Sequence, residues 1–183
     1  MDEATLIKRL SDEATKADAF TQLVKQFQEP LYGQIRRMVL IHEDADDVLQ
    51  NTFIKAWTGL DNFRGDSKLS TWLYRIAVNE ALNFLERQKK KTTSLDAEEA
   101  SLGMEIANTL QSDPYFDGDE VELQLQQAIA MLPDRQRTVF NMKYFQEMKY
   151  EEMSAVLGTT VGSLKANYHI AVKKISEFFR LND

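Results

Sequence analysis

Apolar residues recur along this chain mostly at spacings of three and four, the signature of amphipathic helices. Ala19, Phe20, Leu23, Val24 and Phe27 set that period. Leu31, Ile35, Met38 and Val39 resume it after Pro30, which predicts one interrupted helix or two. Asp44 is a candidate N-cap for the next helix, whose apolar stripe is Ala45, Val48, Leu49, Thr52, Phe53, Ala56 and Trp57. Residues 59–70 read as a loop. Ser70 or Thr71 then caps a helix that turns Trp72, Leu73, Ile76, Ala77, Leu85 and either Ala81 or Phe84 inward.

Periodicity lapses over residues 94–119, where small and acidic residues mix with Gly103, Pro114 and Gly118. That composition predicts a mobile linker between two domains, residues 1–93 and 120–183. Beyond it the period returns. A helix over 120–131 stops at Leu132-Pro133, and a second, from Asp134 to about Phe145, turns Val139, Phe140 and Tyr144 inward. Two more follow: Tyr150–Leu157, ended by Gly158 in a left-handed turn, and one capped by Thr160 with Val161, Leu164, Tyr168, Ala171 or Val172, and Ile175 on one side. The expected fold is all-α, two small helical domains joined by an acidic flexible linker.

Charge refines this picture. The chain has 22 basic and 29 acidic residues, net -7, which by itself disfavours a phosphate partner. The acidity is local, however: Ser94–Glu122 holds nine acids and no Lys or Arg, whereas Phe63–Thr93 holds seven basic residues against three acidic ones. With no cysteine and two separated histidines, thiolate and disulfide chemistry is excluded and no metal or cofactor is expected. No window approaches the ~18 apolar residues of a membrane span, and the charged start lacks a signal-peptide core, so a cytoplasmic location without membrane insertion is expected.

Three constellations carry candidate chemistry. The two short helices joined by Gly158-Thr159-Thr160 form a helix-turn-helix, whose second helix exposes Ser163, Lys165, Ala166, Asn167, His169 and Lys173 for the major groove. Lysine can reach guanine or phosphate, and asparagine can pair with adenine. In residues 63–91, Arg75, Asn79, Asn83 and Arg87 follow at i+4 as a polar stripe beside a loop containing Phe63, Arg64 and Lys68. Cations and stacking surfaces together suit single-stranded DNA. In residues 42–57, Asp46, Asp47, Gln50, Asn51, Ile54 and Lys55 form an outer face suited to docking a protein; calcium is not expected, because the glycine and distal glutamate of an EF-hand loop are absent.

DADDVLQNTFIKAW, FRGDSKLSTWLYRIAVNEALNFLER and LPDRQRTVFNMKYFQEMKYEEMSAVLGTTVGSLKANYHIAVKKI, in this order around an acidic linker, closely resemble the two domains of extracytoplasmic-function sigma factors. The resemblance covers residues 18–93 and 120–180. It implies a subunit that docks on core RNA polymerase through Asp46, Asp47, Gln50, Asn51, Ile54 and Lys55. It also implies that the loop Phe63–Ser70, with Arg64 and Lys68, captures a flipped minus-ten base while Arg75, Asn79, Asn83 and Arg87 line the melted strand. Thr160, Ser163, Lys165, Asn167, His169 and Lys173 then fall on the helix reading duplex minus-35 DNA, and an anti-sigma partner is implied as well. Lys165-Ala166-Asn167 departs from the Arg-Ser-Arg frequent in that family, so base preferences do not carry over there. A stand-alone helix-turn-helix regulator with an N-terminal sensor is the competing reading, but it leaves the stripe of residues 63–91 without a purpose. An enzyme would need a nucleophile-base pair, phosphate loop or metal cluster, and none is legible.

Overall fold

The structure, a computed structural model, describes residues 1–91, 105–107, 110–116 and 118–182. Its helices are α1 (Glu3–Leu10), α2 (Lys16–Val39), α3 (His42–Gly59), α4 (Leu69–Lys91), α5 (Glu120–Ala130), α6 (Asp134–Tyr144), α7 (Tyr150–Leu157) and α8 (Val161–Leu181), with 3-10 turns at Leu60–Asn62 and Leu110–Ser112. No strand occurs among the described residues. They form two compact units, residues 1–39 with 43–86, and residues 40–42 with 87–183.

In the first unit α2 runs unbroken through Pro30, against the expectation of an interruption. A proline removes one helical hydrogen bond, yet Ala19 and Leu23 before it and Leu31, Ile35 and Met38 after it are all buried. Burial on both flanks holds the two halves in one helix. Leu40, at φ 75°, takes the left-handed conformation just past its end. Helix α3 begins at His42, so Asp44 is a first-turn acid favoured by the helix dipole instead of the cap. Ala45, Val48, Thr52 and Ala56 are buried as expected. Trp57 is not: it is 41% exposed, its ring meeting Phe20 edge-on at 5.1 Å and lying 5.1 Å from the Lys16 ammonium.

Helix α4 starts at Leu69, which puts Ser70 and Thr71 inside its first turn and not at a cap. Leu69, Leu73, Ala77, Ala81 and Leu85 are buried, and Tyr74, Val78 and Glu80 join them. Burial pushes the Tyr74 phenol up, with the nearby Arg37 guanidinium opposing. The arm before α2 is itself helical: the Asp2 carboxylate accepts from the Thr5 amide at 2.7 Å, and Leu6 and Leu10 are buried where α1 packs on α2.

In the second unit Asp119 and Glu122 form a reciprocal cap on α5, with amide-carboxylate distances of 2.9 and 3.0 Å. Arg137 is buried; its guanidinium donates to the Leu132 carbonyl at 2.9 Å and pairs with Asp134 at 2.5 Å, satisfying the chain where α5 ends and α6 begins. Helix α8 packs against α5, α6 and α7, around Ile129, Leu132, Phe140, Ala171 and Ile175. Tyr144, expected inside, is 53% exposed, its ring stacked on Phe140 at 5.0 Å. Most of the expected linker, residues 94–104, 108–109 and 117, lies outside the described residues. Of its described part, Ala107 and Leu110 are buried, and the Gln127 amide donates to the Ala107 carbonyl at 3.1 Å.

Candidate nucleic-acid interface

The turn between α7 and α8 is built from local chemistry. Gly158 adopts φ 67°, where a Cβ would be strained. The Ser154 hydroxyl donates to the Thr159 carbonyl, and Thr160 accepts from the Ser163 amide at 3.1 Å, which starts α8. Burial of Leu164, Ala171 and Ile175 turns the opposite side of α8 outward. Thr160, Lys165, His169 and Lys173 are exposed, as are Ala166 and Ile170, whereas Ser163 and Asn167 are half-buried. The Asn167 amide donates to the Ser163 carbonyl at 3.0 Å, so pairing with a base would require it to leave that bond.

Tyr150, at the start of α7, went unmarked in the sequence reading. Lys143 lies 4.5 Å and Lys165 5.7 Å from its ring centroid, gathering two cations beside the helix-turn-helix. The Tyr168 phenol is pushed up, first by burial and then by the Tyr150 and Tyr144 phenols. Spacing could not reveal this group, since its members come from three helices.

Arg75, Asn79, Asn83 and Arg87 are all exposed along α4, as the i+4 spacing predicts. The loop that leads into α4 turns at Gly65, φ 76°. Arg64, Lys68 and Ser70 are exposed; Phe63 is half-buried, its ring 5.1 Å from that of Trp72. On α3, Asp47, Gln50, Asn51, Ile54 and Lys55 are exposed and Asp46 half-buried, accepting from the Gln50 amide at 3.1 Å. Lys55 differs from the rest: its ammonium pairs with the carboxylate of Glu80 on α4, whose side chain is only 7% exposed. The α3 face therefore presents two acids, two amides and an isoleucine that is 62% exposed.

Two family models match in the same order as these elements, Sigma-70 region 2 over residues 23–91 and Sigma-70, region 4 over residues 122–175. RNA polymerase sigma-H factor of Pseudomonas aeruginosa is 35% identical over 164 residues, 87% of this chain and 85% of that protein. The chain belongs to the sigma-70 family. ECF RNA polymerase sigma factor SigW of Bacillus subtilis is 34% identical over 172 residues, 90% of this chain and 91% of that one. The chain is thus an extracytoplasmic-function sigma factor, which directs RNA polymerase to promoters and is not an enzyme.

The sigma factor shares its fold with two solved structures. Sigma factor RpoE of Bartonella quintana, in complex with the anti-sigma factor NepR, has a TM-score of 0.63 at 20% identity, covering 90% of this chain and 98% of that one. CnrH, in complex with the cytosolic domain of CnrY, has a TM-score of 0.62 at 23% identity and covers 99% of both chains. No helix among the described residues is long and apolar enough to cross a membrane.

Proposed function

We propose that this sigma factor divides promoter selection between its two halves. Residues 1–93 dock on core polymerase and open the minus-ten element, residues 120–183 read the minus-35 element as duplex, and residues 94–119 connect them. The observation that carries this reading is the exposed row Arg75, Asn79, Asn83 and Arg87 on α4, a helix entered directly from a loop bearing Phe63, Arg64 and Lys68. Cations along a strand's path neutralise phosphate, and an aromatic at its end can receive an unstacked base. Thr160, Ser163, Lys165, Asn167, His169 and Lys173 suit a major groove instead. Binding free energy drives opening here, offsetting the few kcal/mol that each unstacked base costs. An operator-binding regulator would use α7 and α8 but leave the row on α4 idle. The complex of RpoE with the anti-sigma factor NepR supports an anti-sigma partner for this chain too, and the reading places its work in the cytoplasm.

Lys165→Ala with Asn167→Ala should weaken closed-complex binding of holoenzyme by about 1 to 3 kcal/mol, measured on duplex promoter DNA. Asn79→Ala should leave that step intact and reduce permanganate-detected strand opening. If Asn79→Ala impaired closed binding as severely as the Lys165 and Asn167 pair, while bound complexes opened normally, the division of labour would be wrong.

Docking has its own test. Asp47→Lys with Gln50→Ala should weaken core-polymerase affinity by about 2 kcal/mol, because both side chains are exposed on the α3 face. Circular dichroism should show the helices intact. Unchanged affinity in the folded double variant would remove α3 from the interface.

A further inference from the structure

Among the described residues, helix α4 shows no side-chain cap from the turn that precedes it. The Trp72 amide donates to the Lys68 carbonyl at 3.0 Å, which makes Lys68 the residue before the first turn. Lysine has no acceptor, so it cannot satisfy the amides that a Ser, Thr, Asp or Asn would satisfy there. The acceptor comes instead from the far end of the chain: the Glu3 carboxylate receives the Leu69 amide proton. Glu3 is held for this by α1, whose own start is closed by the Asp2-Thr5 bond and whose Leu6 and Leu10 are 1% and 6% exposed. All of α1 lies before residue 23, where the region 2 match begins.

The junction matters because of what hangs on it. The loop of residues 63–68 is anchored at its first end by the Phe63 amide on the Leu60 carbonyl, 3.1 Å, and by the Phe63 ring on Trp72. At its second end it enters α4 at Leu69, one amide bond from Lys68. Between those anchors a Cβ placed on Gly65 would meet nothing within 4 Å beyond its chain neighbours. The Glu3 carboxylate thus fixes the point from which the loop departs relative to the Arg75-Asn79 row. Its negative charge also sits at the positive end of the α4 dipole.

We propose that Glu3 is a positioning residue for promoter opening: by capping α4 from α1 it holds the Phe63–Lys68 loop in the shape that receives an extruded base. This rests on the reading of that loop given above. Glu3 touches no DNA in this role and acts through Leu69.

The test compares holoenzymes carrying Glu3→Ala, Glu3→Gln and Phe63→Ala on one promoter, following core affinity, closed-complex affinity and the rate of permanganate-detected opening. Tryptophan fluorescence reports folding of the first unit, since Trp57 and Trp72 both lie there. Glu3→Ala should slow opening about fivefold, the size of one lost helix cap, with closed-complex and core affinities unchanged. Glu3→Gln keeps an oxygen acceptor and should recover most of the rate. A purely structural role would instead lower core affinity, closed binding and opening together, in step with the unfolded fraction, and would overturn the proposal. So would wild-type opening by Glu3→Ala, or an equal defect in Glu3→Gln. If Phe63→Ala is defective and Glu3→Ala is not, only the role of Glu3 falls. If Phe63→Ala also opens normally, the reading of the loop falls with it.

Discussion

Replacing Lys55 by methionine should destabilise the first helical unit by about 2 kcal/mol, more than an exposed lysine ordinarily contributes. The reason is its partner. Glu80 is 5% exposed, and the Lys55 ammonium on α3 pairs with its carboxylate. Breaking a fully buried pair costs about 3 to 5 kcal/mol and an exposed one under about 1 kcal/mol. With one partner buried and Lys55 57% exposed, the value falls between those limits. The double variant Lys55→Met with Glu80→Leu should regain most of the loss, because an apolar pair of similar volume leaves no charge stranded. Urea unfolding followed by tryptophan fluorescence measures all three variants against wild type. A Lys55→Met protein as stable as wild type would show that the pair contributes nothing. A double variant no better than the single would place the defect elsewhere on α3.

In the second unit, Leu164→Ala should cost about 3 kcal/mol and abolish most minus-35 duplex binding at ordinary growth temperatures. Leu164 is 1% exposed and lies one turn inside α8, which packs against α5, α6 and α7. Truncating such a leucine loses its transfer free energy and leaves a cavity beside the turn that leads into α8. Circular dichroism should detect earlier loss of part of the helical signal. The tryptophan signal should not shift, since neither tryptophan belongs to this unit. A tryptophan transition displaced as far as the helical one would mean that the two units unfold together.

The contrast between these two residues separates what was legible from what was not. Leu164 could be assigned to the core from spacing alone, because a helix period fixes which side chains share a face. The same logic recovered Leu73, Ala77 and Leu85 as buried, the exposed row from Arg75 to Arg87, and the left-handed Gly158 followed by the Thr160 cap. Each depends on residues within one or two turns of each other. Lys55 looked like any solvated docking residue because its partner is 25 positions away on another helix.

The edges of the helices failed for a related reason. Trp57 and Tyr144 carry apolar rings at positions where the period allows burial, but whether a ring at the margin of a stripe is covered depends on the neighbouring helix. Phe20 on α2 covers part of the Trp57 ring, and only Phe140, one turn back on α6 itself, stacks on Tyr144, so both rings keep a solvent-facing part. Pro30 reads locally as a break, and the buried residues on both sides of it override that preference. The sequence by itself determined helices α3 to α8, most of their inward-facing residues, the helix-turn-helix and the polar row, because those follow from propensity and period. Only the tertiary structure decided that Glu3 caps α4, that Glu80 is buried against Lys55, and that Lys143, Lys165 and Tyr150 meet, because each contact joins residues whose separation in sequence carries no signal until the helices pack.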